Sequence, residues 1–171
     1  MKRREEVEFC FGLNRTDKLT HGYAMIYEKV SRYIRNIFEI GISEGNSIRS
    51  WLNLFPYASI WALDVNESKI DDPRVTVLTD DVKSFVPHPS LPRFDLIVDD
   101  GSHNAEDIIA GWNVLSPICK GLYVIEDLSL ESFTPVIDVV RKSSNVNSFL
   151  QTSHGGGSRA LVASFDTVIT W

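Results

Sequence analysis

Ile37-Phe38-Glu39-Ile40-Gly41-Ile42-Ser43-Glu44-Gly45 is the stretch from which the rest of the chain can be read. Ile37 to Gly41 is a short apolar run, as expected of a buried strand. Gly41 to Gly45 is a turn, and Ile48, Trp51, Leu52 and Phe55 recur at helical spacing until Pro56 stops them. The same alternation continues downstream. Ile60 to Asp64 reads as a second strand. Val75 to Leu78 reads as a third, ending in Asp80-Asp81. Phe94 to Val98 reads as a fourth, ending in Asp99-Asp100-Gly101-Ser102-His103. Pro87, Pro89 and Pro92 leave room before it for only a short helix. Asn104 can cap a helix whose apolar face is Ile108, Ile109, Trp112 and Leu115. Gly121 introduces a fifth strand, Leu122 to Ile125, ending in Glu126-Asp127. Thr134-Pro135 opens a helix through about Arg141. Residues 148–153 and 160–165 read as two late strands around Gly155-Gly156-Gly157, an antiparallel edge hairpin. Continuous apolar strands alternating with helices predict an α/β fold, a mostly parallel sheet covered on both faces.

Upstream, Tyr23, Ile26, Tyr27, Val30 and Ile34 predict a helix ending near Asn36. Residues 1–22 are mixed and polar, as expected of an arm or lid, and 171 residues suit a single domain, 1–171. Seventeen basic against 23 acidic residues leave a net charge of −6, which disfavours nucleic acid as a partner. Cys10 and Cys119 are too few for a disulfide framework or a cysteine zinc site. No apolar run is long enough to span a membrane, and no signal segment is read at the start. A cytoplasmic protein is the expectation.

In parallel sheets of this kind, ligands bind beyond the carboxyl ends of the strands. Here those ends carry Glu39, Asp64, Asp80, Asp81, Asp100, Glu126 and Asp127. Gly41 and Gly45 let backbone come close to a ligand, and Asp64 can accept from both hydroxyls of a ribose. Glu39 and Glu44 would repel a pyrophosphate but suit the ammonium and sulfonium of S-adenosylmethionine. Glu39 is assigned to the amino group, and Asp80 or Asp81 to the adenine amino group. The plainer reading is a tight turn beside solvated acids. Asp100, Glu126 and Asp127 would meet at one sheet edge with His103. Clustered carboxylates repel unless a cation lies between them, and oxygen donors suit Mg²⁺ or another hard divalent ion. Taken singly, Asp100-Gly101 is a turn and Glu126-Asp127 a helix start.

Three segments together resemble a known family. They are Phe38 through Ser47, then Val98-Asp99-Asp100-Gly101-Ser102-His103, then Tyr123-Val124-Ile125-Glu126-Asp127-Leu128. With Thr16-Asp17-Lys18 and His21-Gly22-Tyr23 upstream, they are similar to class I S-adenosylmethionine-dependent methyltransferases. Within that class they resemble the metal-dependent sugar O-methyltransferases of macrolide biosynthesis. The resemblance implies a three-layer, Rossmann-like methyltransferase sheet with the cofactor on the first loop, through Ser47. It implies a metal held by Asp100, Glu126 and Asp127, His103 as general base, and Asp64 on the ribose. The expected reaction is Mg²⁺-dependent O-methylation of a small-molecule hydroxyl, on a sugar or natural product, by a chain that could form a homo-oligomer. The alternative is a non-catalytic module of the same fold that binds S-adenosylmethionine or a partner. The family's additional acceptor-binding segments are not among these 171 residues, so the acceptor itself is not carried over.

Overall fold

A computed structural model describes residues 2–144, 146–153 and 159–165. In chain order the helices are α1 (Arg3–Leu13), α2 (Ala24–Tyr27), α3 (Asn46–Leu54), α4 (Ala105–Leu115) and α5 (Leu130–Lys142). The strands are β1 (Asn36–Ile40), β2 (Ser59–Asp64), β3 (Val75–Thr79), β4 (Phe94–Asp99), β5 (Cys119–Ile125), β6 (Ser148–Ser153) and β7 (Arg159–Ser164). They form one seven-stranded sheet in the order β3-β2-β1-β4-β5-β7-β6. β1 to β5 pair in parallel, while β7 runs antiparallel to β5 and to β6. The expected parallel sheet with an antiparallel edge is thus present. The Gly155–Gly157 turn lies outside the described residues.

Strand alternation divides the core into two halves. Ile37, Leu96, Leu122 and Val162 face one way, against Phe11, Tyr27 and Trp51 of α1 to α3. Phe38, Ile97, Tyr123 and Leu161 face the other way, against Ile108 and Trp112 of α4 and Val136 of α5. The result is three layers. After β1 the chain winds outward through β2 and β3, whereas β4 and β5 extend from β1's other side. β1 and β4 therefore flank the switch point where ligand crevices open in sheets of this kind.

Three sequence expectations change. Residues 3–13, expected in an arm, form α1, and Val7, Cys10 and Phe11 are buried against the sheet layer. The helix expected from Tyr23 to Asn36 is a single turn. The amides of Lys29 and Val30 bond three residues back, to Ile26 and Tyr27, so the coil tightens and ends. The apolar spacing nevertheless marked the buried face, since Tyr23, Ile26, Tyr27 and Val30 are all buried. The last helix starts earlier than Pro135, because Ser129 and Ser132 cap it reciprocally and place the proline inside. The cap of α4 is as expected: the Asn104 side chain accepts from the Glu106 amide.

Candidate cofactor and metal site

A cavity of about 770 Å³ opens at the carboxyl ends of β1 to β4, within the range of small-ligand sites. Its floor is set by the meeting of two loops. Gly41 has φ +89, and a Cβ on it would lie 2.2 Å from the Asp100 carbonyl oxygen. Only glycine lets the loop after β1 touch the loop after β4, so its first duty is to this contact. Gly45 also has a positive φ, +74, immediately before α3; a side chain there would meet Ile70. Gly41 and Ser47 line the cavity, whereas Gly45 does not.

Asp64 shapes the same loop from β2. Its Oδ2 accepts from the amides of Ile42 (2.8 Å) and Ser43 (3.4 Å), and its Oδ1 accepts from the Asn66 amide (2.8 Å). Burial pushes its carboxyl up, but these N–H donors outweigh burial and hold it below the ordinary carboxylate value. Asp64 lines the cavity together with Asp80 and Asp81. Asp80 accepts from the Asp81 amide and the Ser84 hydroxyl, and Asp81 from the Lys83 amide. Both remain exposed, so this wall of the cavity is anionic.

Glu39, expected at the cofactor's amino group, lies elsewhere. It is fully buried and accepts from the Trp51 indole N–H at 2.8 Å, with Lys18 Nζ 3.9 Å away. The side chain points into the layer beneath the loop, toward α3, and does not line the cavity. Burial raises its carboxyl to about 7 against the pull of Lys18.

At the other end of the cavity, Asp100 and His103 follow β4, and Asp127, which follows β5, lies close to them without lining the cavity. Asp100, His103 and Asp127 bring donor atoms within 4.8 Å of one another, and so do Asp17, His21 and Asp127. Asp127 is held from below, its Oδ1 accepting from the Tyr23 hydroxyl at 2.6 Å, with His21 Nδ1 3.0 Å away. The Ser102 hydroxyl donates to Asp107 at 2.6 Å and ties the loop to α4. His103 (φ +58), Asp127 (φ +50) and Ser43 (φ +48) are all left-handed, a costly conformation for such residues and one that gathers at functional sites.

Glu126, expected as the third ligand, is set apart from this group. It is 1% exposed, and its two oxygens accept from the ammonium of Lys18 and the hydroxyl of Tyr27. Burial pushes its carboxyl up, while the Lys18 ammonium and the Tyr27 hydroxyl pull it back. Asp100 and Asp127 thus offer carboxylate oxygens close to one another, with His103 beside them, while both oxygens of Glu126 are taken by Lys18 and Tyr27.

Lys18, buried beside Asp100 and Glu126, is a site neighbour that the sequence pattern did not single out. Lys18 is fully buried, and its Nζ donates to Asp100 Oδ2 at 2.6 Å. Burial works against its charge, but Glu126, Asp100 and Glu39 outweigh burial and keep it protonated. Its one sequence signal was the Thr16-Asp17-Lys18 segment. Tyr23 and Tyr27 were read only as apolar positions, although their hydroxyls reach Asp127 and Glu126. Among the described residues no helix is long and apolar enough to cross a membrane.

No model of a known protein family matches the chain. The chain is 30% identical over 126 residues to mycinamicin VI 2''-O-methyltransferase of Micromonospora griseorubida, a match covering 63% of this chain and 32% of that protein. It is 32% identical over 126 residues to demethylmacrocin O-methyltransferase of Streptomyces fradiae, with the same coverage of 63% and 32%. The aligned part is thus about a third of the length of these relatives. Among solved structures it is similar to the MycE methyltransferase of the mycinamycin pathway, in complex with Mg, SAH and mycinamycin VI. The TM-score is 0.72 at 20% identity, over 97% of this chain and 57% of that one. The chain therefore has the fold of the class I S-adenosylmethionine-dependent methyltransferases and is similar in sequence to the sugar O-methyltransferases of macrolide biosynthesis.

Proposed function

We propose that this chain carries the catalytic site of an S-adenosylmethionine-dependent O-methyltransferase that uses Mg²⁺ and acts on a hydroxyl of a small molecule, a sugar or natural product. The observation that carries this reading is one cavity with two chemistries. An anionic wall of Asp64, Asp80 and Asp81 ends at Asp100 and His103, across the β1–β4 switch point. The relatives named above are O-methyltransferases, and the solved neighbour is a complex with Mg and SAH, which supports the same assignment here.

In this reading Asp64, which lines the cavity, holds the ribose. Asp80 or Asp81 accepts from the adenine amino group. Asp100 and Asp127 hold the divalent ion. When bound, the cofactor supplies the methyl group, and the ion makes the acceptor hydroxyl more acidic. His103 takes the hydroxyl proton on an imidazole nitrogen, as general base. His103 lines the cavity, on a backbone with φ +58. The two loops that meet at Gly41 line one cavity, and holding methyl donor and acceptor together there would remove much of the entropic barrier.

The test is transfer of a labelled methyl group from S-adenosylmethionine to a panel of free and glycosidic sugars, with and without EDTA. Label should move only in the presence of Mg²⁺. His103→Ala should lose the transfer by about a hundredfold or more while still binding S-adenosylhomocysteine. Transfer that survives EDTA would contradict the metal role, and an active His103→Ala would contradict the base.

A further inference from the structure

Lys18 lies in a 3₁₀ turn, Asp17–Leu19, which is pinned at both ends. The Thr16 hydroxyl accepts from the Lys18 amide, and the Lys18 carbonyl accepts from the Tyr23 amide at 3.0 Å. The side chain runs inward under Trp51, whose ring centre is 5.9 Å from Nζ. There the ammonium meets carboxylates from the ends of three adjacent strands. It bonds Asp100 Oδ2 at 2.6 Å after β4 and Glu126 after β5, and lies 3.9 Å from Glu39 of β1. Glu126 is fixed in turn by the Tyr27 hydroxyl. Stability alone is a weak account of such a cluster, because packed apolar side chains usually serve as well or better than a buried ion pair. Geometry gives a stronger one. Of the three carboxylates, Glu39 and Glu126 are sealed, and only Asp100 lines the cavity, its side chain 20% exposed.

We propose that Lys18 is the positioning residue of the metal site: a cation built into the fold that holds one oxygen of Asp100 from beneath and so presents the other to the divalent ion. The proposal rests on the metal reading above. Lys18 touches neither acceptor nor cofactor and acts through Asp100.

The experiment uses Mn²⁺ as the probe, its free fraction read by electron paramagnetic resonance, alongside calorimetric titration of S-adenosylhomocysteine. Lys18→Met should weaken Mn²⁺ binding by about tenfold or more, as loss of an outer partner does at metal sites, and leave S-adenosylhomocysteine affinity near the wild-type value. Should that variant not fold, Lys18→Gln, a shorter neutral donor, carries the same expectation. A purely structural lysine would lower the melting temperature and move both affinities together. That result, or unchanged Mn²⁺ affinity, overturns the proposal. A wild-type protein that binds S-adenosylhomocysteine but no Mn²⁺ overturns the metal reading itself, a failure distinguishable from the first.

Discussion

Asp64 accepts four hydrogen bonds from its surroundings, from the amides of Ile42, Ser43 and Asn66 and the side chain of Asn66. Asp64→Ala should therefore loosen the loop as well as remove a ligand partner. We expect S-adenosylhomocysteine affinity to fall about tenfold and stability by about 1 kcal/mol, read by calorimetry and by denaturant unfolding. The pH dependence follows from the lowered carboxyl value. A depressed folded value means the stabilisation is full above the unfolded carboxyl value, roughly 3.9, and is lost as pH falls through the folded one. The stability gap between wild type and Asp64→Ala should thus be constant near neutrality and close in acid. That Asp64 lines the cavity was legible because it ends the second strand, at the carboxyl edge of the sheet. Glu39 was not. Its position beside the glycine turn suggested a ligand contact, but the side chain turns down to the Trp51 indole, a direction that spacing along the chain does not encode.

At the scale of elements, the strands were read more accurately than the helices. A buried parallel strand is a dense apolar run with little else it can be, and β1, β2, β4 and β5 lie where their runs do. Helix α1 was hidden because it carries many charges, Arg3-Arg4-Glu5-Glu6 among them, and buries only Val7, Cys10 and Phe11. Its apolar stripe is too narrow to stand out from a polar segment. Phe11 decides whether this segment is core or appendage. It is fully buried, edge-on to both Tyr27 and Trp51, at centroid distances of 5.8 and 5.7 Å. Phe11→Ala should cost about 3–5 kcal/mol in denaturant unfolding, the range for removing a buried aromatic ring. An arm would register almost nothing. Because the same layer carries Lys18, Tyr23 and Tyr27 to the carboxylates, damage to α1 should also reach the site.

Over the whole molecule, the sheet order places β1 beside β4, and everything proposed here depends on that adjacency. Loops that are 59 residues apart, at Gly41 and Asp100, come into contact only because the chain reverses its winding there. Alternating strands and helices made the sheet and its carboxyl-end site legible. The division of labour among its acids was not, because it depends on which of them the buried Lys18 takes. The measurement that tests the central claim most directly is calorimetric titration of S-adenosylhomocysteine into folded, ligand-free protein. The account predicts saturable one-to-one binding. No binding to protein shown to be folded would contradict it, and would leave the cavity at the β1–β4 switch without its assigned cofactor.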